Sequence, residues 1–189
     1  MPPKGVKMHK GASLGLRELV YTALASALIA VSALITVPLP SAVAITLQTF
    51  GVYFALFFLG GRLGCIAVTL YIAIGAVGLP VFSGFSGGVG RLVDASGGFI
   101  VGFLLSALVY WLLTSIFCEK YRLLFAFLSL LILYVTGTLW YTLVYVGGSL
   151  DILTALAACV LPFVIPDAVK ILLADLLAKR LCSIMKKTR

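Results

Sequence analysis

Asp167 and Lys170 stand three residues apart in VIPDAVKILLADLLAKRLC, a stretch otherwise dominated by hydrocarbon side chains. That spacing puts both on one helix face. They could simply neutralise each other, yet an ionisable residue inside a membrane span costs about 2.5–3.5 kcal/mol on insertion scales and usually marks a substrate or ion path. The other unusual charges lie in GLPVFSGFSGGVGRLVDASGG, residues 78–98, which combines seven glycines with Arg91 and Asp94. Glycine lets backbone N–H and C=O groups approach a ligand closely. Irregular backbone at membrane depth is tolerated only where protein or a water-filled cavity surrounds it, so the stretch reads either as a lid folding inward or as a flexible outer loop. Gln48, an amide within ITLQTFGV, must find hydrogen-bond partners at that depth, as a packed structural group or as a ligand contact.

Several chemistries are disfavoured. GGVGRLV lacks the G-x-x-x-x-G-K-[ST] order and follows no predicted strand, so neither a P-loop nor a dinucleotide fingerprint applies. His9, the sole histidine, lies in the basic N-terminal stretch, and Cys65, Cys118, Cys159 and Cys182 are scattered singly. Metal sites and Ser-His or Cys-His catalysis within the membrane therefore lack their usual histidine. We expect no enzyme, no metal and no cofactor.

The elements that must position these groups are membrane helices. Of 189 residues, 62% are hydrophobic and 11% charged, with a mean hydropathy of +1.21. A helical span needs about 20 mostly apolar residues; such stretches occur at 19–37, 46–60, 62–80, 98–117, 123–146 and 152–178. The predicted fold is an all-α integral membrane protein with six transmembrane helices and cytoplasmic N- and C-termini. It divides into a basic tail (1–18), a six-helix domain (19–182) and a second basic tail (183–189). This topology puts 12 of the 14 basic residues on the cytoplasmic side, as the positive-inside rule requires, and leaves only Arg91 and Lys170 unexplained. The net charge of +8 thus reads as topology, with anionic-lipid binding as the lesser reading, and not as a nucleic-acid surface. The first apolar run is too long for a secretory signal and reads as a retained helix.

Within the spans, Ala23 and Ala27 form an AxxxA pair, with Ser26 and Ala30 as a second small pair. Small residues four apart let another helix approach, either inside the domain or on another subunit. Gly98, Gly102 and Ser106 repeat the device. Tyr134, Thr138, Tyr141 and Tyr145 share roughly one face, as an aromatic belt or a cavity lining. Pro38 and Pro40 end the first helix. Pro166 suits a helix first turn and Asp167 the positive end of its dipole, so the last helix is predicted to start near Pro166, after a separate short helix at 150–164.

Taken together, ITLQTFGV (45–52), GGRLG (60–64), GLPVFSGFSGGVG (78–90), SGGFIVGFLLSAL (96–108) and PDAVKILLA (166–174) resemble the BioY family, the biotin-binding S components of energy-coupling factor (ECF) transporters. The resemblance implies six helices, an outward-facing biotin pocket capped by the loops between helices 1 and 2 and between helices 3 and 4, and a complex with a transmembrane coupling subunit and two cytoplasmic ATPases. It also implies that the Ala23–Ala27 face docks onto the coupling subunit. The chain departs from the family pattern at Asp94-Ala95-Ser96-Gly97-Gly98-Phe99, where Gly-Pro-Thr-Gly-Gly-Tyr is usual. Biotin suits the remaining residues: Gln48, Ser83 and Asp167 for its ureido ring, Phe82, Phe85 or Tyr141 for its bicycle, and Arg91 or Lys170 for its carboxylate. Two rivals stand beside this reading: a self-sufficient carrier driven by protons or sodium through Asp167 or Asp94, and an S component for a different vitamin.

Overall fold

The computed structural model describes residues 15–37, 44–147 and 152–187. The turn expected at Pro38 and Pro40, and the tail residues Lys4, Lys7, His9 and Lys10, lie outside the described residues. Six helices have 12 residues or more: α1 (Leu16–Leu34), α2 (Gln48–Leu59), α3 (Gly61–Ala76), α5 (Gly97–Ile116), α6 (Arg122–Trp140) and α8 (Leu161–Lys187). Two short ones, α4 (Gly90–Val93) and α7 (Ile152–Cys159), fall in the connections. A π-helical turn, Tyr141–Tyr145, extends α6.

Among the described residues, three segments, Leu16–Leu34, Gly97–Ile116 and Arg122–Tyr145, are long and apolar enough to cross a bilayer. The chain is therefore a membrane protein by the length and composition of its helices. α2 and α3 are apolar but have only 12 and 16 residues, about 18 and 24 Å at 1.5 Å per residue, against a hydrocarbon core of about 30 Å. α8 is long enough, but Asp167, Lys170, Asp175, Lys179 and Arg180 interrupt its hydropathy.

α8 also begins earlier than its prolines suggest. Pro162 is its second residue, where a missing N–H has no intrahelical partner to lose. Pro166 sits inside the helix and removes only the bond to the Pro162 carbonyl. A separate short helix is present as α7, but it ends at Cys159, and residues 161–164 of the predicted 150–164 stretch belong to α8. Asp167 is consequently the seventh residue of α8, past the first turn, and the dipole does not account for it.

Close packing is built from the small residues. At Gly98 an added Cβ would land on the Trp140 side chain, and at Gly102 on Thr136 Oγ1, so α5 and α6 meet backbone to backbone. Ser106 faces Tyr53, whose hydroxyl lies 2.9 Å from Ser106 Oγ and 3.0 Å from Ser129 Oγ. Ser129 donates to the Ala126 carbonyl (2.9 Å), which leaves Tyr53 to donate to Ser129 and accept from Ser106. This fully buried chain joins α2, α5 and α6.

Two levels of polar contact join α6 to α8. Tyr134 meets Asp167 at one. Eight residues further along α8, about 12 Å, buried Asp175 accepts from the Arg122 guanidinium and from Lys179 Nζ at 2.6 Å. The Arg122 guanidinium also lies 5.4 Å from the Phe57 ring centroid of α2.

Candidate functional site

Asp167 and Lys170 do pair, and they recruit two further partners. Lys170 Nζ donates to Asp167 Oδ1 at 2.8 Å and to the Thr46 carbonyl at 2.7 Å. Asp167 Oδ2 accepts from the Tyr134 hydroxyl at 2.9 Å. The Thr46 carbonyl is brought there by a two-stranded antiparallel ribbon, β1 (Thr36–Val37) with β2 (Ile45–Thr46), in register Thr36 to Thr46. Both charged side chains are buried, and hydrogen bonds of this charge-assisted kind are what make such burial tolerable.

The glycine-rich stretch folds back on itself. Phe82 and Ser86 form an antiparallel bridge, and the turn between them places Gly84 (φ 72°) and Phe85 (φ 53°) in the left-handed region. Glycine takes that conformation freely and phenylalanine does so at a cost. Phe82 is fully buried, its ring edge-on to Tyr71 at 5.6 Å. The Gly88 amide donates to the Gly75 carbonyl at 2.7 Å, tying the loop to the end of α3. From α4, Arg91 Nη1 reaches Asp94 Oδ2 at 2.6 Å, and Nη2 reaches the Ser83 carbonyl at 3.2 Å and its Oγ at 3.4 Å.

These groups enclose a cavity of about 340 Å³. Gln48, Phe82, Ser83, Arg91, Asp167 and Lys170 all line it, although they come from three separate parts of the chain. Phe85 does not: as the tip of the turn it is 71% exposed. Tyr141 does not either. It stacks on Tyr145 with centroids 5.6 Å apart, and Tyr145 reaches the lining in its place. The π turn begins at Tyr141, so the 3.6-residue period holds up to that residue and changes only for Tyr145 beyond it.

The lining also contains Tyr134, for which a cavity lining was one of two readings, together with Thr46, Tyr71, Asp94 and Phe163, which are not among the expected biotin contacts. Tyr134 had a signal in its helical spacing, and Asp94 in its charge. Tyr71 and Phe163 had none, being aromatic residues in apolar segments. Several buried polar atoms of the lining have no partner within the protein among the described residues: Gln48 Nε2, Tyr71 Oη, Ser96 Oγ and Arg91 Nε. Buried polar groups are ordinarily satisfied, so the set is suited to a polar ligand.

Ala23 and Ala27 lie on the exposed side of α1, beside Val20 and Leu24, whereas Ser26 is buried. Among the described residues, the first small pair thus faces away from the domain.

The family model for the BioY family matches residues 6–187. The chain belongs to the BioY family. Among BioY family relatives, the biotin transporter BioY of Thermotoga maritima is 38% identical over 173 residues, covering 88% of this chain and 96% of the relative. That of Rhodobacter capsulatus is 34% identical over 172 residues, covering 82% and 87%. The fold is similar to the crystal structure of an S-component for biotin from an ECF-type ABC transporter, with a TM-score of 0.78 and 25% identity over 89% of this chain and 94% of that one.

Proposed function

We propose that this chain is the membrane-embedded biotin-binding subunit of an ECF transporter, mediating biotin uptake across the plasma membrane of a prokaryote. In this reading six helices cross the membrane with both termini cytoplasmic, and a coupling subunit with two ATPases supplies the energy. The observation that carries the ligand assignment is the Lys170–Asp167–Tyr134 set inside a BioY-family cavity. A cyclic urea has a carbonyl that accepts, suited to Lys170 Nζ, and N–H groups that donate, suited to Asp167. The aromatic walls, Phe82 and Tyr71, suit the fused rings.

Arg91 is the better partner for the carboxylate. Its side chain is 30% exposed against 10% for Lys170, so it stands at the more open end where a flexible acid tail would lie, and its Nε has no partner among the described residues. Lys170 is already committed to Asp167, whose negative charge would repel a second carboxylate. The cavity volume falls within the range of ligand pockets, about 300–1,000 Å³.

The test is mass spectrometry of the small molecule that copurifies with the detergent-extracted protein, followed by titration with biotin. Biotin is the expected compound; another vitamin retained in its place would overturn the assignment. Concentrative uptake should require coexpressed coupling and ATPase subunits. Uptake by the purified chain alone in liposomes, driven by a proton gradient, would favour the self-sufficient carrier. Replacing Ala23 and Ala27 with leucine is expected to weaken assembly with the coupling subunit severalfold, measured by copurification, while leaving biotin affinity unchanged, because that face is exposed.

A further inference from the structure

Arg91, the cation assigned above to the ligand carboxylate, already holds one. Asp94 Oδ2 lies 2.6 Å from Arg91 Nη1, and Asp94 Oδ1 accepts from the Ala95 amide at 2.7 Å. Arg91 and Asp94 both line the cavity, with side chains 30% and 37% exposed. Together with Asp167 and Lys170 they make the described lining electrically neutral, two cations against two acids. A monoanionic ligand entering a neutral cavity adds an uncompensated charge unless one of these pairs opens. The buried Asp167–Lys170 pair has a third partner on each side, in Tyr134 and Thr46. The Arg91–Asp94 pair is the more exposed, and water can take over its carboxylate.

We propose that Asp94 is a built-in competitor for Arg91, and that biotin's carboxylate binds by displacing it. The inference rests on the biotin reading above. Asp94 then sets how strongly the site prefers an acid over a neutral analogue: it lowers affinity for the anion and leaves the neutral form unaffected. The exchange requires only a side-chain movement. The Asp94 backbone carbonyl is held independently, by the Gly97 amide at 2.9 Å and by Trp140 Nε1 at 3.3 Å, so a change of side chain leaves the segment anchored.

The experiment compares biotin and biotin amide on the detergent-purified full chain, unaltered and as Asp94→Asn and Asp94→Ser. Exposed ion pairs are weak, so removing the competitor is expected to tighten biotin about two- to fivefold and to leave the amide unchanged, in both variants. Weaker biotin binding with unchanged amide binding would make Asp94 a residue that positions Arg91, and would overturn the proposal. Equal changes for both ligands would overturn it too, by reducing Asp94 to a determinant of loop shape. If the unaltered protein binds no biotin, the reading of the cavity fails and takes this proposal with it. Biotin binding by the unaltered protein together with either of the preceding results sinks the proposal alone.

Discussion

Lys170→Ala is expected to weaken biotin binding by well over tenfold and to lower the melting temperature. Truncating one partner of a buried hydrogen-bonded charge pair costs about 2–5 kcal/mol in binding, and each 1.4 kcal/mol is roughly tenfold. The stability loss has a separate origin. Without the ammonium, Asp167 keeps, among the described residues, only the Tyr134 hydroxyl in a buried site, and an uncompensated buried charge costs about 3–5 kcal/mol. The double variant Asp167→Asn with Lys170→Met separates the two effects: removing both charges should recover most of the melting temperature without restoring affinity. Arg91→Ala provides the contrast. Its partner Asp94 is left partly hydrated, so stability should hardly change. Biotin should weaken about ten- to a hundredfold, since a hydrogen bond to a charged group is worth about 1.5–3 kcal/mol, while biotin amide should be unaffected. Calorimetry and a thermal-shift assay read all of these. Biotin affinity within threefold of the unaltered protein for Lys170→Ala would remove Lys170 from the site.

Gly98→Val should destabilise the bundle and weaken ligand binding together. An added Cβ at Gly98 falls on Cβ and Cγ of Trp140 and lies 3.1 Å from the Thr136 carbonyl. A backbone carbonyl and the root of a side chain cannot rotate away, so α5 and α6 must separate. Overpacking of this kind costs about 1–3 kcal/mol, sometimes more. The damage reaches the cavity because Phe99, Ile100 and Phe103 line it from α5, and because Trp140 holds the Asp94 carbonyl. The leucine variant of Ala23, on the outward face of α1, is the matched control and should melt as the unaltered protein does. A Gly98→Val protein with unchanged melting temperature would show that the two helices can part without loss.

What was legible in the sequence was what short spacing encodes. Small residues four apart announced a close-packing stripe on α5, though not its partner helix, and three-residue spacing announced the Asp167–Lys170 pair. Arg91 and Asp94 share that spacing and also pair, but within a glycine-rich stretch read as a loop the spacing carried no helical meaning until α4 was seen. Arg122 and Asp175 are 53 residues apart, and no periodicity connects them. The Thr46 carbonyl is a backbone atom, so its role as a partner of Lys170 depends on the ribbon and leaves no mark on residue type. Two prolines read as a helix start at Pro166, because each alone is a strong breaker. The first turn hides Pro162, and tertiary packing holds the helix through Pro166. Phe85 was proposed for its ring. What decided its place was the tight turn, which puts its side chain outside.

The cavity and the Arg122–Asp175–Lys179 cluster lie at different depths of one bundle, and the space between them is filled. Tyr53, Leu56, Ala107, Ala126 and Leu130 are buried there, and Tyr53 closes its hydroxyl on Ser106 and Ser129. Along the described residues the cavity is thus floored by buried side chains and is not continued as a channel toward the cluster. A solute lodged in it has no exit through the bottom that would not open the core.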